Sequence, residues 1–354
     1  MRRVSIESVH SEQKLAKTVY SLEGKILLEK GVFLSLKQVN KLKEYSVEEL
    51  YVEDEYSCGI YCDDIISSET RIESKRLIYR IMESNASNLD TQYVVIRSYV
   101  NSIIDQLLER KEILINLNEI RTADDYTFEH SVSVCIYSLI IGISLGYSDD
   151  DLLELGIGAI LHDIGKLKIP NKILKKPSQL TKNEFFLIKN HTIYGYEILS
   201  NSDNISKRSA EIALYHHERV DGSGYPNNRS LNDIPEFARV AAIADVFDAL
   251  TSDRVYRGKL GPKDVIEYMT SKEINHFDQE MLDIFIRFII LYPVGSPVLL
   301  NSGEKAIVLA VNKNYPTKPI VRVLKDTSGN KLPTFVEKDL SNEEKLYVTG
   351  TCNI

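Results

Sequence analysis

The sequence predicts a mainly α-helical protein with a small β-rich unit at its N-terminal end and a small β domain at its C-terminal end. Apolar residues recur at helical spacing through the middle of the chain, and Gly and Pro are scarce in residues 65–120. Both flanks carry short β-branched runs interrupted by turn residues. With 354 residues, the chain has room for more than one domain at about 150 residues each.

The first unit is expected to span residues 1–60 and to combine strands with one helix. The run LAKTVYSLEGKILLEKG places two short apolar segments on either side of Glu23-Gly24 and predicts a hairpin. The run SLKQVNKLKEY predicts a short helix, and EELYVED predicts a closing strand.

The segment 65–120 predicts one or two long helices that connect the first unit to the next. Its apolar residues follow helical spacing: Val95, Ile96, Val100, Ile103, Ile104, Leu107 and Leu108. A stripe of this kind packs either within its own chain or against a second copy, so a homodimer through these helices is one of two open interpretations.

Residues 121–292 are expected to form the central helical domain. Two helix starts are marked by a hydroxyl residue with an acidic residue three positions later, at Ser148 with Asp151 and at Thr181 with Glu184. From residue 293 to residue 354, runs such as KAIVLAVN and PIVRVLKD predict a small β domain.

Composition narrows the class of protein. A net charge of −8 and a pI near 5.5 argue against binding a nucleic-acid polymer. The N-terminus has no apolar core of the kind found in a signal peptide, and the longest apolar stretch, Tyr137–Tyr147, falls short of the roughly 18 residues of a membrane span. We therefore expect a cytoplasmic protein without a membrane span, whose four cysteines are reduced thiols.

Five of the seven histidines lie in apolar helical contexts, together with two aspartates. These residues are His130, His162, Asp163, His191, His216, His217 and Asp245. Taken singly, a histidine on an apolar helix is more often a hydrogen-bonded core or capping residue than a ligand. Burying so many polar groups without partners would be costly, however, and a metal cluster would relieve that cost.

The types of ligand suggest the kind of metal. Imidazoles mixed with carboxylates, without cysteine, suit Fe, Mn or Zn. Seven ligands are too many for one tetrahedral ion and suit two ions bridged by a carboxylate, which can activate water and hold a phosphate oxygen. Neighbouring side chains on a helix point about 100° apart, so His216 and His217 can serve different parts of such a cluster.

Three segments resemble a known family: LHDIGKLKIP, HHERVDGSGYP and DVFDALTSDRVYRGK. They are similar to the motifs of the HD-GYP subgroup of the HD metal-dependent phosphohydrolases, over about residues 115–290. The resemblance implies a helical HD-GYP domain that hydrolyses the bacterial second messenger cyclic di-GMP to linear pGpG, with further cleavage to GMP left open.

The resemblance also implies the metal ligands, position by position. These are the first histidine His130, the pair His162 and Asp163 with the aspartate bridging the metals, then His191, the paired His216 and His217, and finally Asp245. It implies two divalent ions, Fe or Mn. Some members carry a glutamate one turn before the first histidine that helps to hold a third metal; here Tyr126 occupies that position, which favours a two-metal site.

Further positions match residues that meet the substrate. The resemblance implies that Lys166 approaches the scissile phosphate and acts with Asp163 in catalysis. Arg254 and Arg257 would meet phosphate or guanine, or else pair with nearby aspartates. Tyr225 would stack on guanine, or else be a packed core tyrosine.

Two alternatives to this function stay open. One is an HD hydrolase of another cyclic dinucleotide, because the metal ligands do not discriminate among such substrates. The other is a non-catalytic adaptor that binds cyclic di-GMP, or that binds GGDEF-type or other signalling proteins through the Gly-Tyr-Pro loop. The remaining histidines, His10 and His276, are expected to be structural.

Overall fold

The computed structural model describes the whole chain except residues 11–12, 22–24, 46, 48, 61–64, 85, 87–88, 111–114, 116–125, 175, 177, 253–259, 261, 272–274, 313–314, 316 and 353–354. The chain divides into two units. Unit 1 comprises Met1–Asp64, Leu114–Asp124 and Ile289–Ile354, and unit 2 comprises Ile65–Ile113 and Asp125–Phe288. The four-segment division made from the sequence stays a prediction.

The N-terminal part of unit 1 contains five short strands and one helix. They are β1 (Arg2–Ser5), β2 (Lys14–Leu15), β3 (Val19–Tyr20), β4 (Ile26–Leu28), α1 (Leu36–Glu44) and β5 (Glu49–Glu53). Strands β1 and β2 flank β5 in an antiparallel sheet, and β3 pairs with β4. The predicted paired strands, helix and closing strand are confirmed; Glu23-Gly24 lies outside the described residues.

The C-terminal part of unit 1 is a five-stranded antiparallel sheet. Its strands are β6 (Pro297–Leu300), β7 (Lys305–Ala310), β8 (Ile320–Lys325), β9 (Lys331–Asp339) and β10 (Val348–Thr351), in the order β10-β6-β7-β8-β9. Ile307 and Leu324 of this sheet share a buried cluster with Ile60. Apolar packing therefore joins the two ends of the described chain within unit 1.

Unit 2 is helical. Its helices are α2 (Ser68–Glu83), α3 (Leu89–Leu108), α4 (Tyr126–Leu145), α5 (Asp149–Ile160), α6 (Asn171–Leu174), α7 (Lys182–Lys189), α8 (His191–Ser200), α9 (Lys207–Tyr215), α10 (Glu236–Thr251), α11 (Pro262–Thr270) and α12 (Gln279–Ile286). The Ser148 side chain accepts a hydrogen bond from the Asp151 amide, and Thr181 and Glu184 form a reciprocal capping box. Both predicted helix starts are confirmed, as is the fold class.

Helix α4 lies in the core of unit 2, where it packs against α2, α5, α10 and α12. The rings of Tyr137, Phe247 and Phe285 pack edge to face or tilted, with Tyr137 and Phe247 centred 5.2 Å apart. The polar residues of α4 and α10 that face the same interior are consequently held against a rigid apolar support.

One window of α4, Phe128–Leu145, is long and apolar enough to cross a membrane by length and composition. It extends the apolar stretch beyond the Tyr137–Tyr147 segment noted in the sequence. However, 78% of the window is buried inside the structure, as expected for the core helix of a folded domain. By itself, such a helix is weak evidence for a membrane span.

Candidate metal centre

Seven polar side chains converge in unit 2 from the helices and the turns that follow them. His130 lies in the second turn of α4, and Asp245 lies in the middle of α10. His162 and Asp163 follow the end of α5, and His191 is the first residue of α8. His216 and His217 follow α9, whose last residue is Tyr215. All seven positions singled out in the sequence are thereby brought together.

The ligand atoms form three overlapping groups whose members lie within 4.8 Å of one another. The groups are His191, His216 and His217; His130, His162 and Asp245; and His162, Asp163 and His216. Residues shared between groups make this one extended cluster. Such a cluster can hold metal ions, and its extent suits more than one ion.

Asp163 lies at the middle of the cluster and its two oxygens face different histidines. Oδ2 is 3.3 Å from His162 Nε2 and 3.7 Å from His130 Nε2. Oδ1 is 3.4 Å from His191 Nε2. A carboxylate placed in this way can bridge two ions.

The paired histidines differ in their neighbours although their ring centres are only 4.1 Å apart. His216 Nε2 lies 3.3 Å from His191 Nε2, whereas His217 Nδ1 lies 3.5 Å from Asp245 Oδ2. The pair thus presents its nitrogens to two sides of the cluster.

Backbone carbonyls fix the orientation of three imidazoles. The Nδ1 atoms of His162, His191 and His216 lie 2.7, 2.7 and 3.0 Å from carbonyl oxygens in the preceding turn of chain. A carbonyl can only accept, so each Nδ1 is the protonated nitrogen and donates. Each Nε2 is then the nitrogen with a free lone pair, as a metal requires.

His130 is oriented by a carboxylate instead. Its Nδ1 donates to Asp248 Oδ2 at 2.8 Å, and Asp248 is completely buried. On the other side of the ring, Nε2 lies 3.2 Å from Asp245 Oδ1. The role of Asp248 was not predicted from the sequence, where nearby aspartates were considered only as partners of Arg254 and Arg257, although two aspartates three residues apart on an apolar helix share one face.

Burial and neighbouring charges set the protonation of the cluster. Burial opposes ionisation of Asp163, but the Lys166 ammonium and the His162 imidazole outweigh it and hold the carboxyl pKa well below its usual range. Burial and the nearby His162 lower the pKa of His216 to about 3. Ionised carboxylates beside neutral imidazoles are the protonation states that bind divalent metals.

Two buried atoms in the cluster test whether a metal would fit. His162 Nε2 and Asp163 Oδ1 have no hydrogen-bond partner among the described residues. Leaving such groups unsatisfied costs about 1–3 kcal/mol each. A cation between them would satisfy both a lone pair and a negative charge, so the donor set fits divalent ions.

Lys166 lies next to the cluster, on the 3-10 turn that follows the aspartate. Its Nζ donates to Asp163 Oδ2, and its side chain is 26% exposed. The preceding Gly165 lets this turn approach α8, because an added Cβ would lie 1.9 Å from the His191 carbonyl oxygen. The close approach places Lys166 and His191 on either side of Asp163.

The Gly-Tyr-Pro loop contains Gly224, Tyr225 and Pro226. The chain that follows it is held by the buried carboxylate of Glu218, which was not singled out in the sequence. Glu218, which is 1% exposed, accepts from the Asn227 amide at 2.7 Å and from the Arg229 amide at 2.9 Å. Within this loop, the Tyr225 ring lies 4.7 Å from the His217 ring, centre to centre. Burial raises the Tyr225 pKa, so this phenol stays protonated.

Of the other predicted positions, only His276 and His10 have side chains among the described residues, and both lie outside the three ligand groups. Arg254 and Arg257 lie outside the described residues. Tyr126 begins α4, and its side chain also lies outside them. His276 Nε2 lies 4.0 Å from Asp221 Oδ2, and His10 is exposed.

The fold and the cluster define a class of protein. A family model of the HD domain matches residues 101–281, about half of the chain, and the chain belongs to this family. A second model, of a KOW domain associated with the HD domain, matches residues 297–354. The predicted HD-GYP resemblance is confirmed.

Particular relatives are similar over the same region. The cyclic di-GMP phosphodiesterase PA4108 of Pseudomonas aeruginosa is 36% identical over 224 residues, covering 63% of this chain and 54% of that protein. A cyclic di-GMP phosphodiesterase of Thermotoga maritima is 37% identical over 208 residues, covering 58% and 53%. A 3'3'-cGAMP-specific phosphodiesterase of Vibrio cholerae is 32% identical over 220 residues, covering 59% and 42%.

The chain therefore spans about half the length of the curated relatives it matches. Among solved structures, the protein Bd1817 of Bdellovibrio bacteriovorus, described as an HDG"Y"P protein, is similar with a TM-score of 0.50 and 16% identity. The similarity covers 80% of this chain and 97% of that one, and supports the fold alone.

Proposed function

We propose that this protein is a metal-dependent phosphodiesterase that hydrolyses cyclic di-GMP in the bacterial cytoplasm. The observation that carries the proposal is the buried cluster of five histidines and two aspartates, in which His162 Nε2 and Asp163 Oδ1 lack hydrogen-bond partners among the described residues. Similarity to relatives named as cyclic di-GMP phosphodiesterases supports the choice of substrate.

The cluster would hold two divalent ions, Fe or Mn, with Asp163 between them. When bound, such ions supply Lewis acidity toward phosphate oxygens and activate water for attack. Without a Glu at position 126, the donor set is proposed to hold two ions rather than three.

The chain's own residues would bind the substrate and compensate charge. Lys166 Nζ already lies against Asp163 and is partly exposed, so it can turn toward a phosphate that docks at the cluster. There it would neutralise the 3′ oxygen as that oxygen leaves phosphorus. Arg254 and Arg257 would meet a phosphate or guanine of the substrate, and Tyr225 would form one wall of the pocket. The product would be linear pGpG, with GMP as a second product.

The protonation states of the cluster suit this task. The neutral Nε2 atoms are turned inward because backbone carbonyls accept the Nδ1 protons. The carboxylates of Asp163 and Asp245 are ionised despite burial, since neighbouring cations and imidazoles keep their pKa values low. These carboxylates therefore have no proton to lose before metals bind, whereas His130, whose pKa the Asp245 and Asp248 carboxylates raise to about 9 against the effect of burial, has to release one.

Replacement of Asp163 by alanine tests the proposal. Asp163→Ala should reduce cyclic di-GMP turnover by at least about 100-fold, since the carboxylate that would help to hold the two ions is lost. Asp203→Ala, at an exposed aspartate of the same unit, is the matched control and should turn over normally. Protein purified without oxygen is assayed for pGpG by chromatography, and its metals are counted by mass spectrometry. A wild-type rate in Asp163→Ala protein that still carries its metals would contradict the proposal.

A second candidate substrate has a specific observation in its favour. Relatives 32% and 34% identical are named as 3'3'-cGAMP-specific phosphodiesterases. A competition between cyclic di-GMP and 3'3'-cGAMP, followed by chromatography of the products, separates the two. Preference for the mixed-base dinucleotide would replace the substrate while keeping the reaction.

A non-catalytic role makes a different prediction. An adaptor that carries two metal ions would bind cyclic di-GMP tightly and release no product. The same metal-counted protein, incubated with cyclic di-GMP, tests this directly. A GGDEF-type partner at the Gly-Tyr-Pro loop and a homodimer through helices of 65–120 are compatible with either role and stay predictions.

A further inference from the structure

Lys189 occupies an unusual position at the edge of the cluster. Its Nζ lies 4.7 Å from the centre of the Tyr225 ring and 5.0 Å from that of Phe185. Tyr225 in turn contacts His217, a candidate metal ligand, with ring centres 4.7 Å apart. Phe185, Lys189 and Tyr225 therefore form a continuous row, here called the Lys189 row, that leads away from the cluster.

The charge of Lys189 is not compensated by a described carboxylate. Other lysines nearby form ion pairs: Lys166 with Asp163, Lys168 with Glu197, and Lys176 with Glu184. Lys189 instead rests on two aromatic rings, an arrangement that leaves its N–H groups able to donate to an anion. The Lys189 row thus presents a positive charge with no negative partner in the described part of the chain.

Phe185 adds an apolar surface beside this charge. Phe185 is 48% exposed and lies one turn before Lys189 on α7. An exposed aromatic ring next to a lysine is the combination that binds nucleotides, because the ring stacks on the base while the ammonium meets the phosphate. Lys189 is two contacts from His217 and Phe185 is three, a location compatible with a ligand that also reaches the metals.

The proposed substrate requires a second site of this chemistry. A cyclic dinucleotide carries two phosphates and two bases, and only one phosphate is cleaved at the metals at a time. The other nucleotide must lie close by, because the ring of the substrate is covalently closed. We propose that Phe185 and Lys189 bind this second nucleotide, with the Lys189 ammonium on the uncleaved phosphate and the Phe185 ring against its purine. This inference rests on the proposed function.

The test compares a substrate that contains the second nucleotide with a small phosphodiester that lacks it. Cyclic di-GMP has it, whereas bis(p-nitrophenyl) phosphate has one phosphate and no base. In metal-loaded protein, Lys189→Met should raise KM for cyclic di-GMP about ten-fold, since a charge-assisted hydrogen bond is lost, with little change in kcat. Its kinetics on the small diester should change less than two-fold. Phe185→Ala should show the same selectivity with a smaller effect.

Two variants serve as controls. Lys189→Arg keeps the charge and the contact with the rings, and should retain most of the affinity for cyclic di-GMP. Lys182→Met removes an exposed lysine from the first turn of the same helix and should behave as wild type. Equal losses in Lys182→Met and Lys189→Met would mean that only general electrostatic attraction is measured, which overturns the site.

The remaining outcomes separate this inference from the proposed function. Wild-type kinetics of Lys189→Met on cyclic di-GMP, or equal losses on both substrates, overturn the second-nucleotide site and leave the phosphodiesterase intact. Wild-type protein that cleaves the small diester but neither cleaves nor binds cyclic di-GMP overturns both proposals. Metal content is measured for every variant, so that a loss of metal is not mistaken for a loss of substrate binding.

Discussion

At the scale of single residues, Asp248 constrains the orientation of the candidate ligand His130. It lies three residues after Asp245 on α10 and is completely buried. It accepts the Nδ1 proton of His130, which directs Nε2 of that ring toward Asp163 and Asp245. A carboxylate behind a ligating imidazole fixes the tautomer and strengthens the nitrogen as a donor.

We predict that Asp248→Asn weakens metal binding by about 10–100-fold while the protein stays folded. An amide can still accept from Nδ1 but no longer carries the charge that makes the imidazole a strong donor. Competition with a metal-binding dye measures the affinity, and circular dichroism measures the helical content. Asp233→Asn, at an exposed aspartate of unit 2, is the control; equal affinities in the two variants would show that Asp248 has no such effect.

At the scale of elements, an ionic contact ties α2 to α4. Glu129, next to His130 and 6% exposed, lies 2.6 Å from Arg71 Nη1 and 3.1 Å from Lys75 Nζ. All three side chains are largely buried, so the pairing is screened little by solvent. The position of His130 is therefore coupled to helix α2, whose Arg71 and Lys75 precede Glu129 by more than fifty residues.

We predict that Glu129→Gln lowers the free energy of unfolding by about 1–3 kcal/mol, because two cations lose the carboxylate that they share. Urea unfolding followed by circular dichroism gives the change. Glu69→Gln, at an exposed position on α2, should lie within about 0.5 kcal/mol of wild type. The contact would be unimportant for stability if both variants unfolded at the same urea concentration.

Helix starts, and the motifs from which the candidate ligands were inferred by resemblance, could be recognised in the sequence because they consist of residues close together in the chain. The capping box at Thr181 and Glu184 and the His-Asp pair after α5 are of this kind. The contacts of Glu129 with Arg71 and of Lys189 with Tyr225 could not be predicted from the sequence. Helical periodicity shows which face of a helix is buried but not which helix covers it, nor which charge lies opposite.

At the scale of the whole molecule, the cluster makes the stability of the metal-free protein depend on pH in two opposite ways. Burial lowers the pKa of His130, but the Asp245 and Asp248 carboxylates outweigh this and raise it to about 9. Burial and His162 lower the His216 pKa to about 3. Both histidines start from an ordinary value of 6.5, so the two shifts act in adjacent pH ranges.

We predict that the metal-free protein is most stable near pH 6.5. Above it, up to about pH 9, the folded state keeps a proton on His130 that the unfolded chain releases, so stability falls as pH rises. Below pH 6.5, His216 binds a proton in the unfolded chain but not in the folded protein. The free energy of unfolding therefore falls as pH falls. Thermal melting with a chelator across this range gives the profile.

Metal and variant controls complete that experiment. Saturating metal at 100 times its Kd should add about 2.7 kcal/mol and, because bound His130 carries no proton on Nε2, should flatten the alkaline side. His130→Asn should lose the alkaline decline, whereas His10→Asn, at an exposed histidine, should keep it. A metal-free stability that rises steadily to pH 9 in wild-type protein would contradict the shift at His130.

The sequence could not predict which segments of the chain come together in unit 1. Ile60 shares a buried cluster with Ile307 and Leu324, and Arg322 donates to the Cys58 carbonyl oxygen at 2.7 Å. β-branched runs at two ends of a chain look alike whether they pack together or apart. Pairing between such distant segments is decided by surfaces that exist only after folding.

That pairing has a consequence for the order of events on the ribosome. All of unit 2, from Ile65 to Phe288, is made before the strands that complete unit 1. At ~5–20 residues per second this stretch takes on the order of 10–45 s, during which Tyr56 and Ile60 lack Phe335, Ile307 and Leu324 as partners. A nascent chain that stopped soon after Phe288 would contain every residue of the metal cluster, yet leave those early apolar side chains uncovered for chaperones to recognise.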